Sequence, residues 1–345
     1  MSRAGEHDPA ISRWLILCLI IFFAMAMFDS VNRLTPSDAS ALNQDSAHSF
    51  LAPLDAAEWG RAFDRFRQSS EYKKVNPGME LADFKSVFWF YYTQRTLGRL
   101  IIPVFLLPFL YFWWRDQIKP GLTPKLISIF LLAGLQGLIG WYMAQDYLAD
   151  NPRGSVYLLT AHLLNTVLIY GYMLWVILGL RDLQSYMPMH FSELAWWRFG
   201  ALLLTVLVLL SIISGGFVAA LRAGSLYNTF PLMEGHLIPH GLDRMSPWFL
   251  NLFENKLTVQ FEHRILTIAT ALVLIAWYFA RRRLLHEPVI KKSFTLVGLM
   301  VVIQVFLGIA TLLLQVPVWL GAMHWAGALL LFGAMLFNVH ALSRL

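Results

Sequence analysis

Eight separate runs of about twenty apolar residues constrain this chain more than any other feature; they fall at approximately 13–32, 92–114, 126–147, 156–180, 199–220, 260–280, 293–314 and 320–340. A bilayer core about 30 Å thick is crossed by about 20 helical residues, so each run is long enough to span. The fold class follows: an all-α integral membrane protein with eight transmembrane helices. Composition agrees, with 57% apolar and 14% charged residues against about 25% charged in an average soluble domain. A soluble globular or disordered chain is excluded. The net charge of +6 is spread thinly and forms no basic stripe, so no nucleic-acid partner is expected and the cationic excess faces anionic lipid. A lone cysteine, Cys18, rules out a disulfide framework or a Cys-based metal site. His, Met or carboxylates must hold any metal.

The first run is read as a retained span, because Phe28-Asp29-Ser30 offers no small-x-small cleavage site. Glu6 and Asp8 near the start argue against an organelle transit peptide and for a bacterial cytoplasmic membrane. Basic residues in the short loops set the expected orientation. Arg281, Arg282, Arg283, Lys291 and Lys292 lie in one loop, Arg115, Lys119 and Lys125 in another, and Arg181 and Arg198 in a third. Those three are placed in the cytoplasm with both termini, and the segments 33–91 and 221–259 outside. Within the first external segment, Leu54 to Arg67 is expected as an amphipathic helix lying on the membrane.

The chain also repeats itself. Gln94-Arg95 opens the second helix and His263-Arg264 the sixth; Gln136-Gly-Leu-Ile-Gly140 in the third answers Gln304-Val-Phe-Leu-Gly308 in the seventh; Ala161-His162 answers Met323-His324. The intervals agree: 94 to 136 is 42 residues and 263 to 304 is 41, while 136 to 162 is 26 and 304 to 324 is 20. Arg33 and Arg222 close the first and fifth helices. Two duplicated four-helix bundles are therefore expected, 1–180 and 199–345, joined by a cytoplasmic linker at 181–198.

Depth turns the repeat into chemistry. His263 and His324 both begin helices that run inward, so their imidazoles are expected at similar depth and facing each other. Two neutral imidazoles suit the axial positions of a haem iron held inside a four-helix bundle. Arg264 and Arg222 stand at the same edge as partners for propionates. Gln136 and Gln304, with their glycines, suit either a helix-packing seam or the haem edge. His236 and His240 are expected to be solvated, and His7, His48, His190, His286 and His340 show no partner pattern.

Several stretches resemble the haem A synthase family: Gly216-Phe-Val-Ala-Ala-Leu-Arg-Ala-Gly224, Tyr227-Asn-Thr-Phe-Pro-Leu-Met233, Gln260-Phe-Glu-His-Arg264, Leu135-Gln-Gly-Leu-Ile-Gly-Trp-Tyr-Met143, Ala161-His162, Ala322-Met-His324 and Asp83-Phe-Lys-Ser-Val-Phe-Trp89. The resemblance covers nearly the whole chain. It implies an enzyme that oxidises the C8 methyl of haem O, supplied by a haem O synthase, to the formyl of haem A for terminal oxidases. A cofactor haem b would occupy the C-terminal half on His263 and His324. The substrate haem would occupy the N-terminal half, with His162 as metal ligand and Arg33, Gln94 and Arg95 beside it. The resemblance identifies neither a catalytic residue in this chain nor the electron donor, and it is compatible with a homo-oligomer.

One segment departs from the family pattern. Where the family usually has Trp, any residue, Glu, aromatic, any residue, His, Arg, this chain reads Trp89-Phe-Tyr-Tyr-Thr-Gln-Arg95, so Tyr91 replaces the glutamate and Gln94 the histidine. Asp29-Ser30 likewise replaces paired glycines. An amide oxygen is a poor iron ligand beside an imidazole, and the loss of the carboxylate removes the obvious acid or base. A haem-binding paralogue acting in electron transfer, haem sensing or oxidase assembly is the second expectation. A transporter is disfavoured, since the sequence has no broken helix, no intramembrane carboxylate pair and no inverted repeat.

Overall fold

The computed structural model describes residues 9–34, 52–68, 72–73, 78–143, 152–180, 191–280 and 287–344. Its principal helices are α1 (Pro9–Leu34), α2 (Ala56–Gln68), α3 (Leu81–Trp114), α4 (Thr123–Met143), α5 (Pro152–Leu180), α6 (Phe191–Ala220), α7 (Lys256–Ala280), α8 (Pro288–Leu313) and α9 (Val318–Ser343). All but α2 are long and apolar enough to cross a bilayer, one for each expected run. The basic residues Arg181 and Arg281 to Arg283, most of the linker, and His7, His48, His190 and His286 lie outside the described residues.

The chain divides into two compact units, one of residues 20–115 and one of residues 1–19 with 116–345. In the first unit, α3 has 34 residues, about 50 Å at 1.5 Å per residue, which exceeds the hydrocarbon thickness by several turns. Its first turns carry Asp83 and Lys85 and give α2 a surface to pack on. Trp59 and Phe66 from α2 and Phe84, Phe88 and Tyr91 from α3 form one buried aromatic cluster, with Trp59 edge-on to Phe88 at 5.0 Å between centroids. The amphipathic helix expected at 54–67 is present, but its aromatic face lies against a helix rather than on lipid. Within the same unit Asp29 and Arg33 form an ion pair of 2.8 Å one turn apart on α1. Burial lowers the Arg33 pKa and the Asp29 charge opposes that shift.

In the second unit, α6, α7, α8 and α9 close into a four-helix bundle, each packed on the next and α9 on α6. Helix α5 lies against both α6 and α9, and α4 lies against α5. Glycine permits the α5–α9 approach. A Cβ at Gly171 would stand 2.7 Å from the Phe332 ring and one at Gly333 would stand 2.6 Å from Tyr170 Oη, so each helix carries a notch for the other's aromatic side chain. At the far end of the bundle Asn338, fully buried, receives the Trp277 indole N–H at 3.3 Å and donates to Ser293 Oγ at 3.0 Å. That satisfies a polar residue which would otherwise be costly in hydrocarbon.

Candidate haem site and its repeat

His263 lies seven residues after the start of α7 and His324 six after the start of α9, as equal depth requires. Both residues are partly buried inside the bundle.

Each ring is held by its neighbours on one side. The Ser214 hydroxyl on α6 lies 2.8 Å from His263 Nδ1 and also donates to the Ser211 carbonyl at 2.8 Å. A hydroxyl has one proton. With that proton on Ser211, Ser214 accepts from His263 Nδ1–H, and the lone pair of the imidazole is on Nε2. Gly215, the next residue, makes room: a Cβ there would sit 3.1 Å from His263 Cε1. Across the bundle the Gln304 amide nitrogen is 3.1 Å from His324 Nδ1 and 3.1 Å from the His324 carbonyl. A Cβ at Gly308 would sit 3.0 Å from His324 Cε1. In both cases Nδ1 is engaged, and Nε2 has no hydrogen-bond partner among the described residues.

This donor set fits a haem. No group of three or more His, Cys, Asp or Glu able to hold an ion by themselves occurs among the described residues. His263 and His324 would hold the group as imidazole ligands to its iron, and the macrocycle would supply the remaining coordination. Partners of the opposite ring nitrogen fix the tautomer and orientation, as is usual for metal-binding imidazoles.

The arginines have definite surroundings. Arg264 donates from Nη1 to the Thr229 carbonyl at 2.8 Å and from Nη2 to the Tyr227 carbonyl at 2.6 Å, while its buried Nε has no partner among the described residues. Gln260 joins it on Tyr227 at 3.0 Å, so α7 pins the loop that follows α6. Arg222 begins that loop in the left-handed conformation, φ 51°. His236 and His240 are exposed there, as expected. Gln94, Arg95 and Arg33 belong to the other unit, with Gln94 and Arg95 on α3 and Arg33 on α1.

The third histidine repeats the arrangement with a difference. The Gln136 amide nitrogen lies 3.0 Å from His162, but at Nε2 instead of Nδ1. Neither the inverted contact nor the role of Ser214 was expected from sequence, where a serine or amide in an apolar helix has many uses. The adjoining Ser214-Gly215 pair, one hydroxyl beside one missing Cβ, was the available signal.

The fold and this site define a multi-pass membrane protein with two imidazoles, His263 and His324, on two helices of a four-helix bundle. Comparison places it further: the chain belongs to the COX15-CtaA family of cytochrome oxidase assembly proteins, whose model matches residues 12–336. It is 42% identical to a protein of Nitrosospira multiformis named Heme A synthase, over 97% of this chain and 94% of that one. Proteins of the same name from Nitrosomonas eutropha (41%, 98% and 95% covered) and Paramagnetospirillum magneticum (39%, 100% and 96% covered) are similar along their whole lengths.

Proposed function

We propose that this protein is a haem A synthase-type membrane oxidoreductase, converting the C8 methyl of haem O to the formyl of haem A for cytochrome oxidase. The observation that carries the reading is the paired, Nδ1-anchored imidazoles of His263 and His324, in a chain similar over its full length to proteins of that name. In the C-terminal half, 199–345, His263 and His324 would hold a haem b, Arg222 and Arg264 would be the cations available to its propionates, and Gln304 would fix one ring. When bound, that haem supplies one-electron transfer. His263 and His324 orient it, Ser214 sets the tautomer, and the apolar bundle excludes water. The N-terminal half, 1–180, receives haem O from a haem O synthase. The protein resides in a bacterial cytoplasmic membrane with both termini inside, and its electron donor is unidentified.

One observation favours a second reading, a haem-binding paralogue without this chemistry. Tyr91, at the position of the family glutamate, is 6% exposed inside the aromatic cluster of α2 and α3, surroundings unsuited to a working carboxylate. Pigment extraction from membranes that make haem O decides between the two. The first reading expects haem A only when this protein is co-expressed; haem O alone, with low-spin haem b still on the protein, establishes the paralogue. Replacing His263 or His324 by Ala is expected to remove the low-spin optical bands, and their survival in both variants rejects the haem b site.

A further inference from the structure

The two halves hold their repeated histidines by opposite ring nitrogens, and the cause lies one turn further along the helix. Counting from the histidine, Asn165 and Thr166 in α5 stand where α9 has Gly327 and Ala328. Asn165 donates from its amide to the Leu132 carbonyl at 3.0 Å and to Gln136 Oε1 at 2.7 Å. A backbone carbonyl only accepts, so the Asn165 amide cannot be turned over, and Gln136 Oε1 must be the end that faces it. Thr166 closes the other side. Its hydroxyl proton goes to the His162 carbonyl at 3.0 Å, so its oxygen accepts from the Gln136 amide nitrogen at 2.8 Å. That nitrogen, which only donates, is the atom placed 3.0 Å from His162 Nε2.

In α9 a single bond among the described residues holds the equivalent amide, from Gln304 Nε2 to the His324 carbonyl at 3.1 Å. Gln304 Oε1 is buried with no partner among the described residues, and it lies where a Cβ on Gly327 would need to be. A half-turn of that carboxamide gives up this one bond and lets Oε1 accept from His324 Nδ1–H, which leaves the Nε2 lone pair for iron. The same half-turn of Gln136 would break its bonds to both Asn165 and Thr166.

We propose that Asn165, Thr166 and Gln136, anchored on the carbonyls of Leu132 and His162, form a hydrogen-bond clamp that commits His162 Nε2 as an acceptor, so that the N-terminal half takes its haem without an iron ligand from His162. This rests on the reading of the protein as a two-haem machine, and it gives the halves different tasks. A pair of imidazoles retains the C-terminal haem; a haem lacking that ligand arrives and leaves readily, as a substrate must.

The test uses the full-length protein in lipid nanodiscs, loaded with iron protoporphyrin IX and examined by resonance Raman and optical spectroscopy. His162→Ala is expected to leave haem content and every iron–imidazole signal unchanged, the retained low-spin haem on His263 and His324 reporting that the variant is folded. The paired change Asn165→Gly, Thr166→Ala, which copies α9, is expected to release the ring and add an iron–histidine stretch to ferrous protein loaded with excess haem. Adding His162→Ala to that pair should abolish the new band. An iron–imidazole signal in the native chain that His162→Ala removes, or no new band in the paired variant, overturns the clamp. Selective nitrogen-15 labelling of histidine in the haem-free protein reads the same point independently: His162 Nε2 is expected as the unprotonated, hydrogen-bonded nitrogen, and a protonated Nε2 rejects the proposal. If the low-spin haem of His263 and His324 is missing from the native chain, the haem b site fails, whereas the nitrogen-15 result still decides the clamp.

Discussion

At the scale of single residues, small groups decide what an imidazole can bind. Ser214 contributes one oxygen, yet it determines which nitrogen of His263 carries the lone pair. Partners of this kind typically change metal affinity by roughly 10–100-fold when removed. Ser214→Ala is therefore expected to lower haem b affinity by about that factor and to shift the haem's reduction potential, with Ser214→Thr restoring both; haem titration and potentiometry measure the two effects. Gly308 acts by absence. Alanine is better than glycine inside a helix by about 1 kcal/mol, but a Cβ here would press on His324 at 3.0 Å. Gly308→Ala is expected to reduce low-spin haem content without lowering the melting temperature of the haem-free protein. Gly137, with nothing within 4 Å of its would-be Cβ, is the control, and Gly137→Ala should leave haem content unchanged.

At the scale of elements, α2 shows what an amphipathic helix does when a better surface than lipid is close by. Its Trp59 meets Phe84, Phe88 and Trp89 with centroids 5.0–6.4 Å away. Truncating a buried tryptophan to alanine usually costs about 3–5 kcal/mol, more than a helix of 13 residues can recover from its own propensity. Trp59→Ala is expected to release α2 from α3 and make the segment 54–68 the first to be cut in limited proteolysis, while the low-spin haem signal persists. Tyr91→Glu is expected to act similarly, because it would place a carboxylate inside the same cluster. Restoring the family's acid therefore requires changes in the aromatic residues around it.

At the scale of the whole molecule, the distribution of Lys and Arg predicts both termini on the cytoplasmic side. A reporter active only outside the cytoplasm is expected to be silent when fused after Leu345 and active when inserted near Ser46, two positions outside the described residues. The opposite pattern reverses the orientation and moves the haem edge to the other face.

Length and hydropathy alone determined the eight spans, because a bilayer requires about twenty apolar residues per crossing whatever the helices pack against. From sequence, Gln136 and Gln304 suit either a packing seam or a haem edge, and in the structure each lies against a histidine, Gln136 at His162 and Gln304 at His324. The start of α3 at Leu81 was less legible, since its polar first turns look like loop until α2 is seen covering them. Which ring nitrogen each glutamine meets was not legible at all. A nitrogen's role as donor or acceptor depends on partners from other helices, here the Leu132 carbonyl acting through Asn165 and the Ser211 carbonyl acting through Ser214. Periodicity identifies which residues share a helix face, but the direction of a proton along a hydrogen-bond chain is set by the atoms that end it. Tertiary packing alone brings those atoms together.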